Sequence, residues 1–394
     1  MTTFVTYGPK TIPHFGKKVN IRVSYGNYMR VALVHDHLVQ DGGAERVLSA
    51  LQAVYPDAPT YVLFHDRKRA NPEFLDKDIR TSFLQNIPGG VSHYQWLLPL
   101  MPAAVERLDL SDYDVVLSSS SGFSKGIITR PGTLHLCYCH TPTRYLWSDT
   151  HSYLDDLRRG PLVKAAVHTV LPRLRLWDQA AAHRVDKFIA NSDTVAKRIT
   201  KYYRRTSDVI HPPVELARFT VSHKPGSYYL IGGRVVHYKR FDLAVEAFSR
   251  LGIPLKVFGE GPALEELRER AAPNVEFLGR VNDDEKAYLY RDCIAFLHPQ
   301  EEDFGITAIE AMAAGRPVIA YPVGGALETV VPGVTGEFMR EQSWEALADA
   351  VLDFKPEKYD SNKIREHVEQ FSTDNFQKKI RSYVDARWQE FQCQ

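Results

Sequence analysis

From Met29 onward, short runs of consecutive apolar residues alternate with stretches whose apolar positions recur every three or four residues. A short bounded run reads as a buried strand, and the longer period reads as a helix with one covered face. On that rule, strands are predicted at 31–34, 115–117, 134–139 and 187–190 in the first half. In the second half they are predicted at 228–231, 255–258, 275–278, 294–297 and 317–320. A helix opens at Gly42-Gly43, and others are predicted at 243–251, 263–271, 283–291 and 307–314. Strands alternating with helices imply a parallel α/β sheet. Residues 211–227 interrupt the pattern with Pro212-Pro213 and Pro225-Gly226, which reads as a linker. At the end of the chain, Phe376, Ile380, Val384 and Trp388 recur every four residues, the spacing of one helix face. The first 28 residues carry no period and read as a loose N-terminal extension before a domain that starts at Met29.

Length and composition narrow the class. At roughly 100–200 residues per domain, 394 residues give about two domains. The chain is 44% hydrophobic and 25% charged, which is ordinary globular composition. Its net charge of +1 argues against a general nucleic-acid binder. No apolar run reaches the roughly 18 residues needed to span a bilayer, and no signal-peptide pattern opens the chain. The cysteines are Cys137, Cys139, Cys293 and Cys393. Four in this length make no disulfide framework, so a reducing cytoplasm is the expected compartment.

Several local patterns imitate chemistry that their surroundings do not support. Gly122-Phe123-Ser124-Lys125-Gly126 matches a nucleophile elbow, but an extended segment follows it rather than a helix. Asp112-Tyr113-Asp114 could suggest a Mg²⁺ site, yet a hard cation needs several convergent oxygens. Cys137 and Cys139 share one face of a strand and read as core thiols, with no second cysteine pair at zinc spacing. Gly259-Glu260-Gly261 lacks the third glycine of a dinucleotide fingerprint.

Four features converge on holding a nucleotide diphosphate. Arg234 and Lys239 flank a loop that follows a strand and the pair Gly232-Gly233. A guanidinium fork and an ammonium point charge together suit a diphosphate. In PQEEDFGITAIEA (299–311), a strand end leads through Glu302 into a helix beginning near Gly305, where free N–H groups favour an anion. Glu302 and Glu310 lie on this loop and helix, and a carboxylate can accept from two sugar hydroxyls. Gly42-Gly43 lets the backbone of the first strand–helix junction approach a ligand. His140, in CYCHTPTRYLW, follows a strand, and strand carboxyl ends carry the ligand groups of open α/β sheets.

The segments GGRVVHYKRFD, FGEGP, FLGRVNDDEKAYLYRDC, EEDFGITAIEAMAAGRPVIA and VGGALETVVPGVTGEF resemble the C-terminal domain of retaining GT-B glycosyltransferases of family four. The resemblance covers roughly residues 29–390. CYCHTPTRYLW and SSSSGFSKGI more narrowly resemble bacterial mannosyltransferases of O-antigen and exopolysaccharide assembly. The resemblance implies two Rossmann-like domains facing across a cleft: 29–210 on the acceptor side, linker 211–227, 228–370 on the nucleotide-sugar side, and a helix at 371–394 crossing back to the N-terminal domain. It implies that Arg234 and Lys239 bind the diphosphate and that Glu310 holds the ribose. Glu302, with the backbone of Asp303, Phe304, Gly305 and Ile306, would hold the transferred sugar and phosphate. Gly233, Gly259, Arg280 and Val281 would line the donor and its base. His140 would touch the sugar near the reacting carbon, and Gly43 the phosphates or acceptor. Gly324, Gly325 and Glu328 match a further segment without a derivable role. One departure is Glu301 beside Glu302; only Glu302 has seven residues before Glu310.

The reading is therefore a retaining sugar transferase, with mannose from GDP-mannose the foremost donor, acting in cell-surface polysaccharide synthesis. The expected acceptor is a saccharide, in particular one linked to polyprenyl diphosphate. No metal or cofactor is expected. A nucleotide-sugar epimerase of the same fold and a non-catalytic nucleotide-sugar-binding protein are the rivals. Residues 131–210 hold thirteen Lys/Arg against seven Asp/Glu. That excess reads either as a solvated helix face or as adhesion to the inner face of the cytoplasmic membrane. The apolar run 94–102 is compatible with the second reading, or with a domain core.

Overall fold

The computed structural model describes residues 29–393 except 149, 151–160 and 225, and only the backbone of 161–166. The expected N-terminal extension, 1–28, lies outside the described residues. The first sheet is built from β1 (Val31–His35), β2 (Thr60–Val62), β3 (Ile79–Thr81), β4 (Val115–Ser120), β5 (Leu134–Cys139), β6 (Lys187–Ala190) and β7 (Ser207–Val209). Helices α1 (Gly43–Val54), α2 (Met101–Glu106), α3 (Pro161–His183) and α4 (Asp193–Tyr203) accompany it. The second sheet holds β8 (Tyr228–Gly232), β9 (Leu255–Phe258), β10 (Val275–Gly279), β11 (Cys293–His298), β12 (Val318–Ala320) and β13 (Gly336–Phe338). Around it run α5 (Phe241–Leu251), α6 (Leu264–Arg270), α7 (Asp283–Arg291), α8 (Ile306–Ala313), α9 (Ala326–Thr329), α10 (Trp344–Asp353) and α11 (Ser361–Val368). The chain closes with α12 (Thr373–Gln392).

Every strand pair is parallel, in the orders β3-β2-β1-β4-β5-β6-β7 and β10-β9-β8-β11-β12-β13. Parallel sheets are covered on both faces, so their central strands read as continuous apolar runs rather than alternations. β1 is buried at all five positions and β5 at all six. In each sheet the strand order reverses once, between β1 and β4 and between β8 and β11. Such reversals open a crevice at the strand carboxyl ends, where ligands bind.

The proline-rich stretch does not hang free between the domains. Val214, Leu216 and Phe219 are buried in the second domain's core. Val214 pairs with the chain on its way back: its N–H donates to Phe371 O (2.9 Å), and Thr373 N–H donates to Val214 O (3.2 Å). The guanidinium of Arg365 fastens the same place, donating to the carbonyls of Leu216, Phe219 and Ala313. The two crossings between domains thus run side by side. Beyond them, α12 lays Phe376, Ile380 and Val384 into the first domain's core with Leu48, Leu51 and Tyr138. The ring of Phe376 meets that of Tyr138 edge-on at 5.7 Å. The i, i+4 spacing of these residues puts them on one stripe, so the helix returns across the cleft to bury it.

Ile380 is fully buried there. Ile380→Ala is expected to destabilise the first domain by about 2–5 kcal/mol, read as a lower urea midpoint of its unfolding transition. A midpoint equal to wild type would mean that α12 is not part of that core.

Candidate active site

The second domain supplies a carboxylate and an ammonium group held face to face. Lys239 Nζ lies 2.8 Å from Glu302 Oε1, and both side chains are largely enclosed. Burial pushes the Glu302 pKa up, but the charges of Lys239 and His298 and the Lys239 and Gln300 hydrogen bonds outweigh it, leaving the carboxyl at about 2. Burial likewise opposes the charge on Lys239, and Glu302 overrides it, so the ammonium pKa is raised. A carboxyl held below its ordinary range stabilises the fold above that range and loses this contribution as pH falls toward 2. The pair is therefore charged throughout the neutral range.

The backbone around the pair makes that approach possible. Gly305, the N-cap of α8, has φ +89, and a Cβ on it would lie 3.1 Å from His298 Nε2. A side chain there would be both strained and blocked. Gly324 (φ +68) would bring a Cβ to 2.2 Å from Glu302 O, and Gly325 N–H donates to that same carbonyl at 2.8 Å. The glycines left without a role by the sequence therefore clamp the loop that carries Glu302. Gly233 stands over Lys239, since a Cβ on it would be 3.4 Å from Nζ. Gly259 packs back to back on Gly233, with 1.8 Å from its would-be Cβ to Gly233 O.

The first domain contributes His140, which directly follows β5. Its ring is partly exposed and its Nε2 lies 2.8 Å from Ser119 Oγ. Burial, reinforced by His35, pushes its pKa down to about 4, so the imidazole is neutral at neutral pH. The loop after it is anchored by buried Asp178, which accepts from Lys125 Nζ, Thr143 Oγ1 (3.0 Å) and Trp147 Nε1 (2.7 Å). Lys125 of the elbow-like motif is thus a structural cation, and Ser124 Oγ donates to Ser119 O (2.9 Å). Asp36, at the end of β1, accepts from the backbone N–H of Ser121, Phe123 and Ser124 and from the Ser121 hydroxyl. Asp114 is engaged by Arg30, and Cys137 and Cys139 are buried in the core.

Charges close the cleft. Arg46 Nη1 on α1 donates to Glu310 Oε1 at 2.8 Å; Lys286 Nζ and the Tyr290 hydroxyl reach the same carboxylate at 3.1 Å each. Glu310 is therefore neither a solvated helix glutamate nor open: it is buried and occupied, because three donors compensate its charge. Asp303 pairs with Arg144 (2.8 Å) and with Arg198. Arg198 also reaches Glu301 (3.2 Å), so Glu302 and Glu301 point to different partners. Glu328 accepts from the backbone N–H of Asp193 (2.9 Å) and Thr194 (3.1 Å), capping α4 of the opposite domain. A Cβ on Gly43 would lie 3.0 Å from Ile306 Cδ1, so this glycine marks close approach between domains. Phe304 is buried and stacks on His211 of the linker at 5.2 Å.

Not all of the sequence's candidates converge. Arg234 is exposed, and its side chain makes no hydrogen bond or ion pair among the described residues, so it does not share the setting of Lys239. Arg280 is exposed, while Val281 packs against the second core. Sequence reasoning missed Arg46, Arg144, Arg198 and the cross-domain role of Glu328. Arg46 stood beside the noted glycines and Arg144 beside His140, but nothing in the sequence names a partner some 160–260 residues away.

Two family profiles divide the chain between them. "Glycosyltransferase Family 4" matches residues 41–218, and "Glycosyl transferases group 1" matches 216–372. The Alpha-1,3/1,6-mannosyltransferase ALG2 of Dictyostelium discoideum is 27% identical over 51% of this chain and 57% of its own length. The O-antigen chain mannosyltransferase C of Escherichia coli is 27% identical over 50% of this chain and 57% of its own length. The chain thus spans little more than half of these relatives. Among solved structures, Anabaena Alr3699/HepE in complex with UDP superposes with a TM-score of 0.68 at 16% identity, over 91% of this chain and all of that one. Two parallel Rossmann-like sheets, a C-terminal helix returned to the first of them, and both profile matches in order make this chain a member of the GT-B glycosyltransferases of family four, glycosyl transferases group 1.

Proposed function

We propose that this glycosyltransferase is a retaining enzyme that moves a sugar, foremost mannose from GDP-mannose, from a nucleotide diphospho-sugar to a saccharide acceptor. The observation that carries the reading is the Lys239–Glu302 pair, held charged at the switch point of the second sheet. In the proposed step the acceptor hydroxyl attacks the anomeric carbon on the face from which the diphosphate leaves. The bond from that carbon to the phosphate oxygen breaks, and the acceptor proton passes to the departing oxygen. Little is then asked of a protein base. The protein's work is positioning and stabilising negative charge on the leaving diphosphate. Lys239, with Arg234 at the rim, supplies that charge without a metal. The mannosyl donor rests on the names of the two relatives at low identity, while the HepE structure holds UDP. The test is transfer of labelled sugar from GDP-mannose and UDP-glucose to a saccharide acceptor. Labelled product from either donor supports the reading; consumption of donor without acceptor would favour an epimerase, and tight donor binding with no turnover a binding protein.

Lys239→Ala and Arg234→Ala should each lower kcat/KM by about 10²–10³-fold, the loss of one preorganised charge-stabilising group. Measured in EDTA, the wild type should stay active. Either variant within twofold of wild type would remove that residue from the diphosphate role.

Glu310→Ala should weaken nucleotide affinity, because ribose contact is uniform binding. Glu302→Ala should lower kcat more than affinity, because sugar contact tightens in the transition state. Steady-state kinetics with nucleotide inhibition separates the two; equal small effects in both variants would reject the assignment.

A lipid-linked acceptor would bring the enzyme to an anionic membrane surface. Residues 94–100 form 3₁₀ turns in which Leu97 and Leu98 pack on the first core, while Trp96 and Leu100 are 56% and 45% exposed. No helix among the described residues is long and apolar enough to cross a membrane. Anionic liposomes should therefore sediment the protein at low salt and release it at high salt. Failure to bind them at low salt would remove the membrane contact from the proposal.

A further inference from the structure

β4 ends in Ser118-Ser119-Ser120, three polar residues buried in the middle of a parallel sheet. Apolar residues are the rule at such positions, so each hydroxyl asks for an explanation. Ser118 Oγ is taken by His135 Nε2 at 2.9 Å, and Ser120 Oγ by the Lys125 N–H at 3.4 Å. Ser119 is different. Its Oγ lies 3.0 Å from His35 Nδ1 on β1 and 2.8 Å from His140 Nε2 on β5. On its far side, His35 Nε2 faces Glu45 Oε1 of α1 at 3.9 Å. Glu45, His35 and Ser119 are all buried. A line of four polar groups therefore crosses the sheet at its switch point and ends at the histidine that enters the cleft.

The protons along this line are not independent. A neutral imidazole has one N–H and one bare nitrogen, and a hydroxyl has one hydrogen to give. An ionised Glu45 carboxylate only accepts, and Nε2 is the His35 nitrogen that faces it, at 3.9 Å. In the neutral imidazole of His35 the carboxylate thus favours the proton on Nε2, which leaves Nδ1 bare to accept from the Ser119 hydroxyl. Ser119 Oγ then offers only lone pairs to His140, so His140 Nε2 must be the donor. The opposite direction would set a bare nitrogen against the carboxylate. Asp36 cannot substitute for Glu45, because its oxygens are committed to the 121–124 loop. His37, the remaining titratable group beside His35, turns to Tyr94 at 5.1 Å. His140 Nδ1 has no partner among the described residues.

We infer that Glu45, His35 and Ser119 are positioning residues that lock His140 in its Nε2–H tautomer, so that Nδ1 meets the cleft as a hydrogen-bond acceptor for a hydroxyl of the transferred sugar. The lock itself follows from the four side chains; the sugar hydroxyl rests on the function proposed above. A histidine whose second nitrogen is fixed by its neighbour presents one defined face to a ligand. Free to flip tautomer, it would present a donor for part of the time, and a sugar hydroxyl aligned to donate would lose its acceptor.

The experiment is two-bond ¹⁵N–¹H correlation spectroscopy of the full chain labelled at histidine, with the His140 signals assigned by their loss in His140→Gln. At neutral pH, His140 should show a protonated Nε2 and a bare Nδ1. Ser119→Ala should introduce the Nδ1–H form, and Ser119→Thr, which keeps the hydroxyl, should restore the wild-type pattern. Ser118→Ala, whose hydroxyl meets His135 and the Leu136 carbonyl but not His140, should leave His140 unchanged. In turnover assays, Ser119→Ala should lower kcat at least about tenfold, within the range of a misplaced proton-bearing group, with donor KM within twofold and recovery in Ser119→Thr. A wild-type His140 carrying its proton on Nδ1, or a tautomer unaffected by Ser119→Ala, would overturn the proposal. The spectra need no substrate. A correct tautomer in a protein that transfers no sugar would therefore sink the transferase reading and leave the lock standing.

Discussion

The cleft is organised by one ion pair taken out of water. Lys239 follows β8 and Glu302 follows β11, the two neighbouring strands at which the second sheet reverses its order. Removing either partner would leave the other buried without compensation, which costs several kcal/mol for an enclosed charge. The surrounding backbone is shaped to hold this pair: Gly305 turns the chain with a positive φ, and the Gly324-Gly325 segment clamps the Glu302 carbonyl. Loops built for another purpose would not need glycine at each of these contacts. On the function proposed above, this held ammonium group is the charge that would meet the leaving diphosphate.

Around that pair, the two domains meet through opposite charges. The second domain contributes Glu301, Asp303, Glu310 and Glu328; the first contributes Arg46, Arg144, Arg198 and the N-terminus of α4. The arrangement at α4 uses the unsatisfied N–H groups that any helix start leaves over. Glu310 has a particular consequence. The carboxylate that family resemblance gives to a ribose is here tied to Arg46 of the facing domain, so ribose contact and cleft closure would share one group. The crossings at Val214 and Thr373 are hydrogen-bonded to each other, so the two connections between the domains are not independent.

The fold was legible because its strands are buried on both faces and punctuated by glycine and proline. The strands at 134–139, 187–190 and 255–258 end where their apolar runs end. The short strands β2 and β3 escaped, since three residues are too few to show a period. In the site, Glu302, Lys239 and His140 were legible by their place after strands, and Glu302 separates from Glu301 because they face different cations. Arg46, Arg198 and Glu328 were not legible, since their meaning lies in the opposite domain and periodicity says nothing of distant charges. The buried serines of β4 carried a signal that was available but unread. Three hydroxyls in a central strand break the apolar rule, and the break marks the line from Glu45 to His140.

The central claim is that the Lys239–Glu302 cleft binds a nucleotide diphospho-sugar. Thermal shift of the wild type and of Lys239→Ala against GDP-, UDP-, dTDP- and ADP-sugars tests it most directly, because a ligand of the folded state raises Tm by mass action. The account predicts that at least one nucleotide sugar raises the wild-type Tm and that the rise is lost in Lys239→Ala. No shift with any of them, or an equal shift in the variant, would contradict it.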